Sequence, residues 1–228
     1  VTVGPGLEPA LWQGIEFAKQ LAAHKCVPLF PVNHMEAHLI SSLANTEHSN
    51  ILQNVRMFIH DVKWPVLALL ISGGHTEFVL SPAWFSYQVV GETLDDAVGE
   101  CFDKVARMLG LPYPGGPVIS KLAAEHRAEQ TIQQANLPEQ GDALLQRRVA
   151  PAVSLPRPMM NSNSCDVSFS GLKTAAMYAL RGKNLSEDEK KAFAREFEDA
   201  VTDVFVAKTQ RALAETGAKT FVIGGGVA

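Results

Sequence analysis

The stretch Val66-Leu67-Ala68-Leu69-Leu70-Ile71-Ser72-Gly73-Gly74-His75-Thr76-Glu77-Phe78-Val79-Leu80 decides the fold class. Val66 to Ile71 is a continuous apolar run that reads as a strand, Ser72 to His75 as a glycine turn, and Thr76 to Leu80 as a returning strand. Adjacent glycines let a backbone turn tightly and bring its N–H groups against a phosphate with no Cβ in the way. An ordinary hairpin uses the same residues, so the tetrapeptide alone leaves both readings open. Phe85 to Val90 supplies a third strand.

Upstream, Val27 to Val32 is a short apolar run, interrupted by Pro28 and Pro31, that reads as a further strand. It delivers Asn33-His34-Met35-Glu36-Ala37-His38, with Asn33 placed as a helix N-cap. Residues four apart on a helix lie only about 40° apart, so His34 and His38 can aim both imidazoles at one ion. Glu36 then points roughly to the opposite face. In the zinc-protease arrangement H-E-x-x-H the glutamate directly follows the first histidine as general base, so the order H-x-E-x-H argues against that role. Two histidines sharing a helix face without a metal is the plain alternative. Before them, Leu11, Ile15, Ala18 and Ala22 recur at helical spacing in a helix ending near His24. Strand followed by helix makes an α/β lobe. The polar segment from Asn45 through Lys63 is the expected boundary, dividing the chain into 1–62 and 63–228.

Downstream, Thr93 to Leu109 reads as a helix opened by Thr93 and Asp96, with Leu94, Val98, Cys101, Phe102, Val105 and Leu109 in one apolar stripe. Asp95, Gly99 and Asp103 then share another face. Carboxylates beside a glycine gap suit ribose hydroxyls, and a solvated acidic face is the alternative. Tyr113-Pro114-Gly115-Gly116-Pro117 opens a helix running to about Arg127, with Pro117 as its first residue. Residues 129–163 are a weaker region whose Arg147, Arg148 and Arg157 are the nearest thing to a basic patch. Asp166 to Ser170 alternates like a strand and Gly171 opens a helix. Ser186 and Glu189 form a capping box before a long helix striped by Phe193, Phe197, Val201, Val204 and Phe205. Thr220 to Ile223 is a strand ending in Gly224-Gly225-Gly226.

With 228 residues, 46% of them hydrophobic, the chain can bury a full core as one unit or two lobes. Cys26, Cys101 and Cys165 are odd in number and lack a C-x-x-C, which fits buried thiols in a reducing compartment. No apolar run reaches membrane-spanning length, and the expected location is cytoplasmic. The net charge of −4 means that a nucleic-acid partner requires a local basic patch or an accessory subunit.

NHMEAH, LLISGGHTE, GETLDDAVGECFDKVARMLGLPYPGGP, SFSGLKTA and FVIGGGVA occur in the order found in one family. Across nearly its whole length the chain resembles the bacterial tRNA adenosine threonylcarbamoyltransferases, long called O-sialoglycoprotein endopeptidases. The resemblance implies an α/β, two-lobed actin-like ATPase (ribonuclease H-like) fold, incomplete at both termini. It implies His34 and His38 as ligands of one divalent metal, Fe2+ ahead of Zn2+ or Mg2+. It assigns Leu70, Ile71, Ser72, Gly73 and Gly74 to the substrate's phosphate and carbamoyl portion, Asp103 and Gly116 to its nucleoside, and Gly224, Gly225 and Gly226 to the adenosine site. The implied partners are tRNA, threonylcarbamoyl-AMP, a shortened paralogue and a small ATPase. The family's third metal ligand, an aspartate, is expected beyond Ala228. A metalloendopeptidase and a non-catalytic nucleotide-binding scaffold are the competing functions. Position 120, where some relatives carry a nucleoside-binding aspartate, is Ser120 and is left unassigned.

Overall fold

In the computed structural model, which describes residues 1–43, 62–135 and 153–227, the chain opens with strand β1 (Thr2–Gly4), helix α1 (Glu8–Lys25), β2 (Val32–Asn33) and α2 (His34–Ser42). Strands β3 (Val66–Ile71), β4 (Thr76–Ala83) and β5 (Ser86–Glu92) follow, then helices α3 (Val98–Met108), α4 (Gly115–Ala135), α5 (Ser170–Leu180) and α6 (Glu187–Thr216), and finally β6 (Thr220–Gly224). They form two compact units, Val1–Val90 with Ala212–Ala228, and Gly91–Arg211. The segment 44–61, which carries the expected boundary, and Arg147 and Arg148 lie outside the described residues.

In the first unit β3 is the central strand. The sheet order is β5-β4-β3-β6, with β3 antiparallel to β4 and parallel to β6. Its six residues are all buried, which explains an uninterrupted apolar run in place of alternation. Helix α2 lays Met35 and Leu39 on Ala68, Leu70 and Val79, with Val222 and Tyr87 packed at the margin. A two-stranded parallel sheet, β1-β2, lies elsewhere in this unit. The strand expected over 27–32 contracts to Val32–Asn33. Pro28 and Pro31 have no N–H to give a ladder, so the run between them stays irregular. Cys26 is exposed, contrary to expectation, since it ends α1, a helix none of whose residues is buried, where it takes the left-handed region at φ 51°. Cys101 and Cys165 are buried as expected.

The second unit packs helices. Val98, Cys101, Phe102 and Val105 bury one side of α3, and the Phe102 ring meets Phe197 of α6 edge-on at 4.9 Å. The strand expected over 166–170 reduces to a single bridge, Val167 with Thr93, and α5 starts at Ser170. The alternating pattern there reflects a chain threaded through a packed interior. Phe169 is fully buried and its ring lies 5.4 Å from that of Phe205. Pro117 is the third residue of α4, which begins at Gly115 and continues past Arg127 to Ala135.

Candidate functional site

Burial of Met35 and Leu39 fixes how α2 is rotated on the sheet, and that rotation presents the residue before each of them. Those residues are His34, exposed, and His38, half-buried. Asn33 caps the helix, its Oδ1 accepting the Met35 N–H at 2.8 Å and the Glu36 N–H at 3.4 Å. The pair is thus rigid at its base. The two Nε2 atoms stand 3.0 Å apart, with ring centroids at 4.4 Å and an interplanar angle of 68°. Two nitrogens about 2.1 Å from one ion sit roughly 3.0 Å apart at a right angle and roughly 3.4 Å apart at a tetrahedral one. The observed gap suits either an N–H···N hydrogen bond between the two rings, whose direction depends on the tautomer, or two ligands of one ion. Burial, and then the neighbouring His34, lowers the pKa of His38. The neutral ring, the form that ligates a metal, is therefore favoured. Among the described residues there is no cluster of three or more His, Cys, Asp or Glu arranged to hold an ion. His34 and His38 could hold a metal as two of its ligands.

Glu36 lies toward Tyr87, whose hydroxyl is pushed up in pKa by burial and then by that carboxylate. This is not the placement of a base beside the histidine pair.

Two glycine turns belong to the same unit. Where β3 ends, the Ser72 N–H donates to His75 O at 2.8 Å and the His75 N–H to Ser72 Oγ at 3.0 Å. A Cβ at Gly73 or Gly74 would meet nothing within 4 Å, so the tip of the turn is open. Leu70 and Ile71 are different. Their side chains are buried, and Leu70 pairs in register with Glu77 on one side and Gly224 on the other. The backbone leaves the sheet only at Ser72.

At the end of β6, Gly225 holds φ +105° and a Cβ there would overlap Ile71 O. Only glycine takes this position without strain. The Val227 N–H donates to the same Ile71 O at 3.1 Å. Gly224 faces α2, where a Cβ would overlap Ser42 Oγ and stand 3.2 Å from His38 O. Gly226 is open. The histidine helix, the Ser72–Gly74 turn and the Gly224–Gly226 turn therefore converge.

In the second unit Asp103 accepts the Gly115 N–H on Oδ1 at 2.7 Å, tying α3 to the start of α4. A Cβ at Gly115 would overlap Ala106, whereas Gly116 faces open space. Asp103 and Gly116 are thus brought together at one helix N-terminus. The shared face of Asp95, Gly99 and Asp103 does not form. The helix begins at Val98, Gly99 is buried, and Thr93 Oγ1 donates to Asp96 O at 2.8 Å in a turn that precedes the helix. Asp95 instead accepts from the Phe169 N–H at 2.8 Å, the Ser170 N–H at 3.1 Å, and both Ser168 Oγ and Ser170 Oγ at 2.5 Å. It caps α5 from another part of the chain, a role that no local pattern announces. Burial raises its pKa, but those hydrogen bonds outweigh it and hold the carboxyl below the usual range. Arg157 is no surface patch either, since it pairs with Glu196 at 2.5 Å and Asp203 at 3.0 Å.

No local sequence signal marks Ser42. It lies four residues after His38 on the same helix, yet the glycine that packs on it is remote in sequence.

A family model described as TsaD, tRNA N6-adenosine threonylcarbamoyltransferase, matches residues 1–228. The chain is 39% identical over 226 residues to the tRNA N6-adenosine threonylcarbamoyltransferase of Nitrosomonas europaea, a match covering 99% of this chain and 57% of that relative. The chain spans rather more than half the length of the curated relative it matches.

Proposed function

Because the chain belongs to the tRNA N6-adenosine threonylcarbamoyltransferase family, we propose that the full-length protein is an acyltransferase of the cytoplasm. It moves threonylcarbamoyl from threonylcarbamoyl-AMP to N6 of the adenosine 3′ of the anticodon, in tRNAs reading codons that begin with A. The observation that carries this reading is the convergence of the histidine pair on α2 with two glycine turns. Metal ligands beside backbone N–H donors suit the negative charge of an acyl phosphate.

In the reaction the tRNA N6 amine attacks the carbamoyl carbon and the bond from that carbon to the phosphate oxygen breaks. AMP leaves with the bonding electrons, and N6 gives up a proton. The open turn Ser72–Gly74 offers backbone N–H groups to the phosphate and carbamoyl oxygens, where negative charge develops. Asp103 holds the Gly115–Gly116 turn through Oδ1 and keeps Oδ2 for a nucleoside hydroxyl. Gly224 to Gly226 line the adenosine. His34 and His38 would hold a divalent cation, Fe2+ ahead of Zn2+ or Mg2+, which when bound supplies Lewis-acid polarisation of the acyl phosphate. The fold on this reading is actin-like, with α2 and the β3 sheet sharing one compact unit. The shortened paralogue and the small ATPase complete the assembly on tRNA.

The test is a transfer assay with threonylcarbamoyl-AMP, unmodified tRNA and the accessory subunits. His34→Ala/His38→Ala should remove transfer. Absence of transfer by the unaltered protein, or metal-dependent peptide cleavage that Glu36→Gln abolishes, would sink the reading.

A further inference from the structure

Helix α2 and the Gly224–Gly226 turn meet at one close approach. A Cβ built at Gly224 would overlap Ser42 Oγ and lie 3.3 Å from Ser42 Cβ and 3.2 Å from His38 O. Ser42 Oγ donates to that same His38 carbonyl at 2.7 Å. The bond holds the hydroxyl in the rotamer that fills the gap. The Ser42 side chain is therefore the spacer between the histidine helix and the glycine turn, and glycine at 224 is what lets it fit.

From the sheet side the turn is equally constrained. Gly224 pairs in register with Leu70, and the Val227 N–H donates to Ile71 O at 3.1 Å. A displacement of the turn must move either the end of β3 or the helix that carries His38. Close-packed neighbours transmit such shifts because there is no void to absorb them.

Resting on the metal and adenosine assignments above, we propose that Ser42 is a positioning residue. Seated against Gly224, it fixes the histidine pair relative to the glycine turn, so that nucleotide bound at the turn and metal bound at the histidines each tighten the other. Coupling of this kind is reciprocal, and a factor of about 5 or more is ordinary for it. Ser42 touches neither ligand.

The test uses the full-length protein with Co2+ as the metal probe, followed by its visible absorption, and AMP as the nucleotide probe. AMP is expected to tighten Co2+ binding about fivefold or more in the unaltered protein. Ser42→Ala, which shortens the spacer, should keep Co2+ affinity within about twofold and leave only the part of the AMP effect that direct contact between phosphate and metal supplies. Gly224→Ala should weaken Co2+ binding, and Ser42→Gly/Gly224→Ala, in which the methyl refills the gap from the other side, should recover both affinity and AMP response. If Gly224→Ala alone does not fold, Ser42→Ala decides. An AMP effect of equal size in the unaltered protein and Ser42→Ala overturns the proposal, as does a folded double variant without recovery. Histidine-dependent Co2+ binding that ignores AMP sinks the coupling alone. Co2+ binding indifferent to His34→Ala/His38→Ala sinks the site assignment and the coupling with it.

Discussion

Asp103 has one carboxylate oxygen committed, since Oδ1 accepts the Gly115 N–H. Asp103→Asn keeps an acceptor for that N–H but removes the charge that the proposed function offers to a ribose. It is expected to weaken AMP binding by about 1.5–3 kcal/mol with little change in thermal stability, whereas Asp103→Ala should lower both. Calorimetry with AMP beside a melting curve separates the two. An unchanged AMP affinity in both variants returns Asp103 to a purely structural tie. Arg157 makes the opposite case. Its partner Glu196 is 7% exposed and also accepts the Leu155 N–H, so Arg157→Ala leaves a buried carboxylate without its cation. A loss of roughly 3 kcal/mol in urea unfolding is expected, with nucleotide affinity intact.

At the scale of elements, α5 depends on Asp95 and Asp96 at its approach. Asp96 bridges Lys104 at 2.9 Å and Lys173 at 2.6 Å. Burial raises its pKa, but Lys173 and Lys104 outweigh that and keep the carboxyl below its usual range. A carboxylate depressed in the folded state contributes stability above its unfolded pKa of about 3.9, and loses it as pH falls through the lower folded value. The stability difference between the unaltered protein and Asp96→Asn should be constant from about pH 7 to pH 5 and shrink below about pH 4. A difference that grows on acidification contradicts the assignment. Asp95→Ala uncaps α5 and is expected to cost about 1–2 kcal/mol at neutral pH. Neither role was legible in the sequence, where Thr93-Leu94-Asp95-Asp96 has the pattern of a helix start. The partners of Asp95 lie more than seventy residues away, as the Ser170 contact shows. A local capping motif and a turn that caps a distant helix use the same residues.

At the scale of the whole molecule, a metal held by His34 and His38 alone would be short of protein ligands. A polypeptide of residues 1–228 is expected to hold Fe2+ or Zn2+ more weakly than the full-length protein. Loss of even an outer partner of a ligand ordinarily costs about 10–100-fold in affinity, and loss of a direct ligand is expected to cost at least that. Titration of both with metal decides it, and equal affinity would mean that the site is completed within 1–228. Among the described residues no helix is long and apolar enough to cross a membrane.

The sequence by itself determined the elements whose signal is local. The apolar run Val66–Ile71 became a fully buried central strand, Asn33 became the cap of α2, and His34 with His38 came to one face, because helix period and capping chemistry act over a few residues. Tertiary structure alone decided the rest. It set Gly224 against Ser42, gave Gly225 its left-handed turn over Ile71 O, and drew Asp95 away from its own helix to another. These contacts join residues far apart in the chain, so their cause is the packing of one element on another, which no periodicity within either element encodes.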